Sequence, residues 1–499
     1  MIQFSLNGQL VQEEKIDPNW TVLRYLRTNM VRNSVKEGCA GGDCGACSIL
    51  VAQQDASGSW GFEAINACIA LLGSLDGKTV FTVEGLANAE HLHPVQQAMV
   101  DFHGSQCGFC TPGIVASLAA LYHNKQANKQ ASGESETASE QEIHEALSGN
   151  LCRCTGYRPI IEAAKAMGQY AQPHAQAAIS EPKALADVGH FDPSAPKDSN
   201  LPAIEHEGRR LFLPDTESQL ADLLVAYPDA TLWAGGTDLG LEITQQFKQF
   251  DTIICLDKIT SLTQVSETDA EICFGAMVTY SASETYLNNH FPSFAQLITR
   301  IAARQIRNLG TLGGNVANAS PIGDTPPVFL ALNARVELAS QKGRREVALD
   351  DFFLGYKQTA MQTGEYLSRI IVPKLSDKQS LHVFKVSKRK EDDISAVLSA
   401  ALLDHDGQTI TQARIAFGGM AATPLRAFKT EKALIGQPFK LESFEQAASE
   451  IKHDYSPMQD VRATPEYRLT VASNLIIKTG LEIFQPESLV QSHSEQGGH

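Results

Sequence analysis

Apolar residues alternate with polar ones at the start of the chain. In Ile2-Gln3-Phe4-Ser5-Leu6 they recur at every second position, and Leu10 and Val11 follow Asn7-Gly8. Asn-Gly favours a two-residue hairpin turn, so residues 1–16 predict a β-hairpin. The period then changes. Val22, Leu23 and Leu26 share one side of a predicted helix, and Ser48–Gln54 reads as a strand. A small α+β unit over 1–78 is the expectation. Beyond residue 79 the spacing is helical in His93–His103, Gly113–His123, Gln141–Gly149 and Pro159–Ala171. The polar stretch 124–141 between two of these predicts an exposed loop. Residues 171–205 carry Pro, Ala, Ser and Asp without a steady period and read as a linker. Strands and helices alternate from about 208, with Thr231–Gly240 and Asp251–Asp257 each reading as a strand followed by a loop. A further α+β piece is expected over 381–485, before a tail at 486–499.

Length fits this division, since 499 residues suggest about three domains at roughly 150 residues each. The charge is acidic: 41 Lys plus Arg against 57 Asp plus Glu give −16. Such a chain is poorly suited to clamping nucleic acid or anionic lipid, which need basic faces. No apolar run approaches the ~18 residues that span a bilayer. The N-terminal residues lack a basic region followed by an apolar one, so a cytoplasmic location is expected.

Eight of the ten cysteines lie in the first 154 residues. In a cytosolic chain they do not suggest a disulfide framework. The other two, Cys255 and Cys273, sit in apolar runs and are expected to be plain buried thiols. Cys39, Cys44 and Cys47 form C-x4-C-x2-C in a Gly-rich run, with Cys68 downstream. That is the plant-type [2Fe–2S] spacing. Three thiolates from one short loop require a tightly curled backbone, which glycine permits. Zinc sites more often use paired C-x2-C knuckles, and this run holds one. A second set follows: Cys107 and Cys110 as C-x2-C, and Cys152 and Cys154 as C-x-C, each beside a predicted helix. Positive helix N-termini would favour thiolates there. On spacing alone this set suits a second iron–sulfur cluster or zinc.

Two glycine-rich loops come later. Thr231 to Gly240 reads as a strand running into a turn, and Arg307 to Asp324 carries Gly310, Gly313 and Gly314. Exposed amides in such loops can approach a pyrophosphate closely, although neither loop is G-x-G-x-x-G. Gly-rich turns after strands are common without any ligand.

The cysteine sets in this order, with Gln106-Cys107-Gly108-Phe109-Cys110-Thr111-Pro112-Gly113 and Asn150-Leu151-Cys152-Arg153-Cys154-Thr155-Gly156-Tyr157-Arg158-Pro159, resemble the xanthine dehydrogenase and aldehyde oxidase family of molybdenum hydroxylases. The resemblance covers about residues 1–485. It implies a multidomain α+β chain: a β-grasp ferredoxin-like [2Fe–2S] domain (1–78), a four-helix [2Fe–2S] domain (79–170), a vanillyl-alcohol-oxidase-type FAD domain (206–380) and a C-terminal flavoprotein domain (381–485). It favours iron–sulfur over zinc at the second set. Both glycine loops resemble the family's FAD segments. The implied FAD positions are Leu232, Trp233, Ala234, Gly235, Gly236, Thr237, Asp238 and Leu239, then Thr311, Leu312, Gly313, Gly314, Asn315 and Asp324, with Ile301, Ile371 and Lys385. Ile301 departs from the aromatic residue of animal relatives. The charged run after Phe384 matches a loop beside the flavin, although such a run is usually only a solvated surface. The positions implied for NAD⁺ are Ser320, Tyr356 and Asp392.

The family's molybdenum domain has no counterpart in this sequence. The resemblance therefore implies the iron–sulfur/FAD chain of a bacterial two-chain xanthine dehydrogenase. Its partner would be a molybdopterin-binding large subunit carrying the molybdenum cofactor and the catalytic glutamate, with no catalytic residue on this chain. Electrons would run from the second cluster to the first, then to FAD and NAD⁺. Gln106 and Cys154 match positions that touch the pterin and mark part of the partner interface. A dimer of heterodimers is implied by relatives alone. Competing readings are an aldehyde or N-heteroaromatic hydroxylase, a stand-alone flavin reductase, and an electron carrier without flavin turnover.

Overall fold

The computed structural model describes residues 1–54, 59–87, 91–132, 137–170, 202–390 and 392–487. Most of the expected linker and tail lies outside them. The described part of the linker already enters a strand at Ile204. The chain forms two compact units: Met1–Thr260 with Ala302–Gly310, and Ser261–Ile301 with Thr311–His499. Residues expected to form one flavin domain are thus shared between them.

In the first unit, β1 (Ile2–Leu6) and β2 (Gln9–Glu13) form the expected hairpin. Asn7 and Gly8 take φ of +52° and +79°, the left-handed pair such a turn requires. α1 (Val22–Thr28) follows, capped by the Thr21 side chain. With β3 (Ser48–Gln54), β4 (Trp60–Asn66) and β5 (Thr79–Phe81), the sheet order is β2-β1-β5-β3-β4, with β1 and β5 parallel. Both faces of this sheet are covered. Ile49 and Val51 pack with Val22, Leu23 and Leu26 of α1. Leu50 and Ala52 pack on the opposite side with helical residues 95–167. That explains the unbroken apolar run in β3, because a strand buried on both faces loses its alternation.

The helices on that side are α2 (Pro94–Asp101), α3 (Thr111–Ser132), α4 (Glu140–Leu147) and α5 (Arg158–Ala166). The loop expected over 124–141 is corrected here, since α3 runs on to Ser132. Lys, Gln and Ala in that stretch are good helix formers. Asn124 also exchanges hydrogen bonds with the Phe62 backbone of β4, at 3.1 and 2.8 Å. A second sheet follows from β6 (Ile204–His206), β7 (Arg209–Phe212), α6 (Glu217–Ala226), β8 (Thr231–Trp233), α7 (Leu239–Thr244) and β9 (Thr252–Cys255). Its order is β6-β7-β9-β8.

The second unit contains β10 (Val265–Glu267), β11 (Glu271–Gly275), α8 (Tyr280–His290), α9 (Pro292–Thr299), α10 (Leu312–Ala317), α11 (Thr325–Ala331), β12 (Arg335–Ser340), β13 (Gly343–Ala348), β14 (Phe353–Gly355), β15 (Gln358–Thr359) and β16 (Tyr366–Pro373). β17 (Gln379–Val386), β18 (Val397–His405), β19 (Ile410–Gly418) and β20 (Leu425–Arg426) form an antiparallel sheet in chain order. α12 (Phe428–Leu434), α13 (Leu441–Ala447) and α14 (Pro465–Phe484) close the unit. Among the described residues, no helix is long and apolar enough to cross a membrane. Cys255 is buried as expected, and its thiol donates to Asp257 Oδ2 at 2.9 Å. Cys273 is only half-buried, on β11 next to the edge strand β10.

Candidate functional site

The first cysteine loop joins α1 to β3, and Cys68 follows β4. All four thiols are free of disulfides. Cys39 hydrogen-bonds with Cys44, and Cys47 with Cys68. The Cys39 N–H donates to Cys44 Sγ and the Gly41 N–H to Cys39 Sγ, each at 3.3 Å. The hydrogen bond with Cys44, aided by the amides of Gly41, Cys44 and Asp43, holds Cys39 below the ordinary thiol range. Cys44 is correspondingly pushed up. The glycines fill the role expected of them. Gly45 has φ +65°, and a Cβ there would lie 2.3 Å from the Gly149 carbonyl oxygen.

The second quartet is built from helix starts. Cys110 precedes α3, and Cys152 and Cys154 precede α5. Cys107 pairs with Cys154 at the surface, and Cys110 pairs with Cys152 further in. Burial, with Cys152 beside it, pushes the Cys110 thiol up to about 12. The Cys152 N–H donates to Tyr157 Oη at 2.8 Å, and Cys152 Sγ lies 3.1 Å from Thr155 Oγ1. Sequence reasoning gave Thr155 and Tyr157 no role. Phe109 and Leu151 expose 48% and 57% of their surface around this quartet, and Gln106 is exposed as well.

The two loops touch. The Leu151 N–H donates to the Cys44 carbonyl at 3.0 Å, and Asn150 Nδ2 to the Gly45 carbonyl at 3.2 Å. Asn150 is itself held by Gln305 Nε2 at 2.8 Å, which also reaches Ser117 Oγ at 2.8 Å. Gln305 belongs to the segment Ala302–Gly310, and no sequence signal placed that segment here.

The donor sets fit iron–sulfur clusters. Among the described residues, no group of three or more His, Cys, Asp or Glu side chains is arranged to hold a metal ion. Each quartet instead offers soft thiols alone, in two pairs. Two thiolates at each iron is the pattern of a four-cysteine [2Fe–2S] group, and backbone N–H groups already point at the sulfurs of the first quartet.

The flavin positions divide by unit. In the first, Leu232–Leu239 is the end of β8, a turn and the start of α7. Gly236 has φ +69°, and a Cβ on Gly235 would lie 1.8 Å from the Leu309 carbonyl oxygen. The N–H groups of Gly235, Gly236 and Thr237 have no partner among the described residues. Such an open turn suits a pyrophosphate. The Trp233 indole is buried in the core, so at that position the backbone alone is available. In the second unit, Thr311 caps α10 through the Gly314 N–H at 3.0 Å. A Cβ on Gly313 would lie 2.5 Å from the Ala276 carbonyl oxygen. Asn315 Oδ1 accepts from Thr325 Oγ1 at 2.6 Å. Lys385 Nζ is buried between Asp324 Oδ2 (2.9 Å) and the Arg300 carbonyl (2.8 Å). Ser395 Oγ donates to Asp324 Oδ1 at 2.6 Å, a contact without a sequence signal. Ile301 is half-buried and Ile371 lies in β16. Ser320 follows α10, Tyr356 is 60% exposed between β14 and β15, and Asp392 follows β17 with φ +47°.

Comparison with known proteins places this chain's parts at the level of domains. Residues 82–165 match a [2Fe-2S] binding domain, 206–375 the FAD binding domain in molybdopterin dehydrogenase, and 382–483 the CO dehydrogenase flavoprotein C-terminal domain. The xanthine dehydrogenase/oxidase of Mus musculus is 32% identical over 97% of this chain and 39% of its own length. The xanthine dehydrogenase of Emericella nidulans is 34% identical over 88% of this chain and 35% of its own. The chain thus spans about two fifths of these relatives. Among solved structures, a Cu,Mo-CO dehydrogenase chain is similar with TM-score 0.52 and 28% identity, over 54% of this chain and 95% of that one. Quinoline 2-oxidoreductase of Pseudomonas putida 86 is similar with TM-score 0.52 and 25% identity, over 55% and 96%. With these domains and relatives, the chain belongs to the molybdenum hydroxylase family, as a chain carrying its [2Fe–2S] and FAD-binding parts.

Proposed function

We propose that the chain is the electron-transfer and NAD⁺-reducing subunit of a xanthine dehydrogenase. A molybdopterin-binding partner chain oxidises hypoxanthine or xanthine. Its electrons pass through the quartet Cys107, Cys110, Cys152 and Cys154, then through Cys39, Cys44, Cys47 and Cys68, to FAD and on to NAD⁺. The observation that carries this reading is the similarity to xanthine dehydrogenases along 97% of the chain, which spans the cysteine and flavin segments together. The exposed Cys107 and Cys154, with Gln106, Phe109 and Leu151 around them, form the face that meets the partner.

The flavin supplies pooling of two electrons and hydride chemistry. The chain's own residues do the holding. The amides of Gly235, Gly236 and Thr237 receive the pyrophosphate, Lys385 fixes Asp324, and Asn315 is oriented by Thr325. Ser320, Tyr356 and Asp392 contact the nicotinamide nucleotide. A second reading, an N-heteroaromatic or CO-oxidising hydroxylase, draws on the likeness to quinoline 2-oxidoreductase and CO dehydrogenase chains.

Anaerobic titration of the purified chain with NADH, followed by visible absorbance, tests the acceptor end. Bleaching of flavin and clusters together is expected. Bound FAD that stays oxidised with NADH overturns the NAD⁺ reading. Reduction by xanthine after reconstitution with the co-purified partner then separates the purine reading from the second one.

A further inference from the structure

The turn after Cys154 has an unusual build. Gly156 and Tyr157 are consecutive left-handed residues, with φ of +67° and +66°. For a residue with a Cβ that conformation is strained, and it persists only where surrounding contacts impose it. Here it folds the ring back so that Tyr157 Oη receives the Cys152 N–H at 2.8 Å. It also brings the Tyr157 N–H to Thr155 Oγ1 at 3.1 Å. The Thr155 oxygen therefore already accepts one hydrogen bond, and its own proton is free to point elsewhere. Cys152 Sγ lies 3.1 Å away. A ligating cysteine is a thiolate and can only accept, so the hydroxyl must be the donor. Among the described residues, no other hydroxyl is seen beside a sulfur of either quartet.

We propose that Thr155, held in place by the Tyr157 turn, is a positioning residue that donates a hydrogen bond to Cys152 Sγ and raises the reduction potential of the iron–sulfur group at the second quartet. This rests on the reading that Cys107, Cys110, Cys152 and Cys154 ligate a [2Fe–2S] group. When one electron is added, the sulfurs gain negative charge and the hydroxyl bond strengthens. No proton transfers, because Thr155 keeps its own. Hydrogen bonds to cluster sulfurs are a recognised lever on such potentials.

Thr155→Val removes the hydroxyl at nearly constant shape, and Thr155→Ser keeps it. Redox titration of the full chain with dithionite, read by EPR, resolves the two clusters. In Thr155→Val the equilibrium constant for reducing the second cluster should fall about tenfold, about 59 mV for a one-electron couple. The first cluster should stay unchanged, and Thr155→Ser should titrate as the wild type. No shift in Val, an equal shift in Ser, or a shift of both clusters together overturns the proposal. If the Val variant loses its second cluster, Thr155→Ala takes its place in the titration, with the same fall expected and the same outcomes overturning the proposal. Wild-type chain that carries only the first cluster's iron refutes the ligand reading itself.

Discussion

At the first quartet, Cys47 and Cys68 are each 2% exposed and belong to the core that joins α1 to the sheet. Backbone amides point at its sulfurs, and its loop is packed so closely that Gly45 meets the Gly149 carbonyl. At the second quartet, Cys107 and Cys154 lie at the surface. Backbone amides reach its sulfurs too, and side chains are added: Thr155 at a sulfur and Tyr157 at an amide. A buried centre exchanges electrons only through protein, while an exposed one can meet another chain directly. Under the proposed function, the second quartet faces the partner and the first is the internal relay. The difference also predicts which site couples to folding. A ligand loop inside a core shares the stability of that core, and a ligand turn at a surface does not.

The largest effect should separate the two sites outright. Cys47→Ser places a hydroxyl in the core and removes a ligand. Unpaired burial costs about 1 to 3 kcal/mol, and the metal's contribution to folding is lost besides. At roughly 2 to 4 °C per kcal/mol, a Tm fall of about 10 °C is expected, with the first cluster's iron gone. Cys154→Ser should lose the second cluster's iron with less than half that fall. Equal falls would mean that both loops are equally part of the core.

A second pair of changes compares two left-handed glycines of nearly equal φ. Gly45→Ala adds strain and drives a Cβ into the Gly149 oxygen at 2.3 Å. Left-handed strain plus overpacking comes to roughly 2 to 5 kcal/mol. Gly156→Ala meets nothing within 4 Å, so only the strain of about 1 to 2 kcal/mol remains. Denaturant unfolding of both variants measures the gap. A Gly156→Ala variant as unstable as Gly45→Ala would show that the second turn is as confined as the first.

Much of this was legible in the sequence, for local reasons. C-x4-C-x2-C, the hairpin at Asn7-Gly8 and the strand Ser48–Gln54 depend on near neighbours, and the structure has them where the spacing put them. What escaped depends on distant partners. The polar residues after Tyr122 looked like a loop because Asn124 finds both its donor and its acceptor in β4, 62 residues away in sequence. The placement of Ala302–Gly310 in the first unit rests on Gln305 reaching Ser117 and Asn150, contacts that no periodicity announces. Trp233 sat within a recognisable flavin segment, yet its indole turns into the core. Thr155 and Tyr157 stood in plain view within the second motif. Their roles depend on two consecutive left-handed residues, which only coordinates reveal.

A smaller effect concerns acid, and it should fall on the second quartet's helices. His93 and His123 are buried with their Nε2 atoms 3.0 Å apart. His93 Nδ1 accepts the Val95 N–H at 3.2 Å, so the His93 proton sits on Nε2 and is donated to His123. Both rings are thereby fixed as neutral, and burial holds His123 down to about 4 and His93 low as well. In the unfolded chain both return to about 6.5. The folded value is depressed, so the unfolded state binds the extra proton as pH drops. Stability is therefore full above pH 6.5 and declines from there toward pH 4. At pH 5, His123 alone should cost about 2 kcal/mol, at 1.36 kcal/mol per unit. His123 lies on α3, the helix that begins beside Cys110. Loss of the second cluster should therefore precede loss of the first as pH is lowered, when each is followed by its EPR signal. His123→Phe, which stays apolar and can still stack on Phe62 as the imidazole does, should flatten the pH dependence of unfolding. An unchanged slope in that variant would assign the acid sensitivity to other groups and remove this distinction between the two sites.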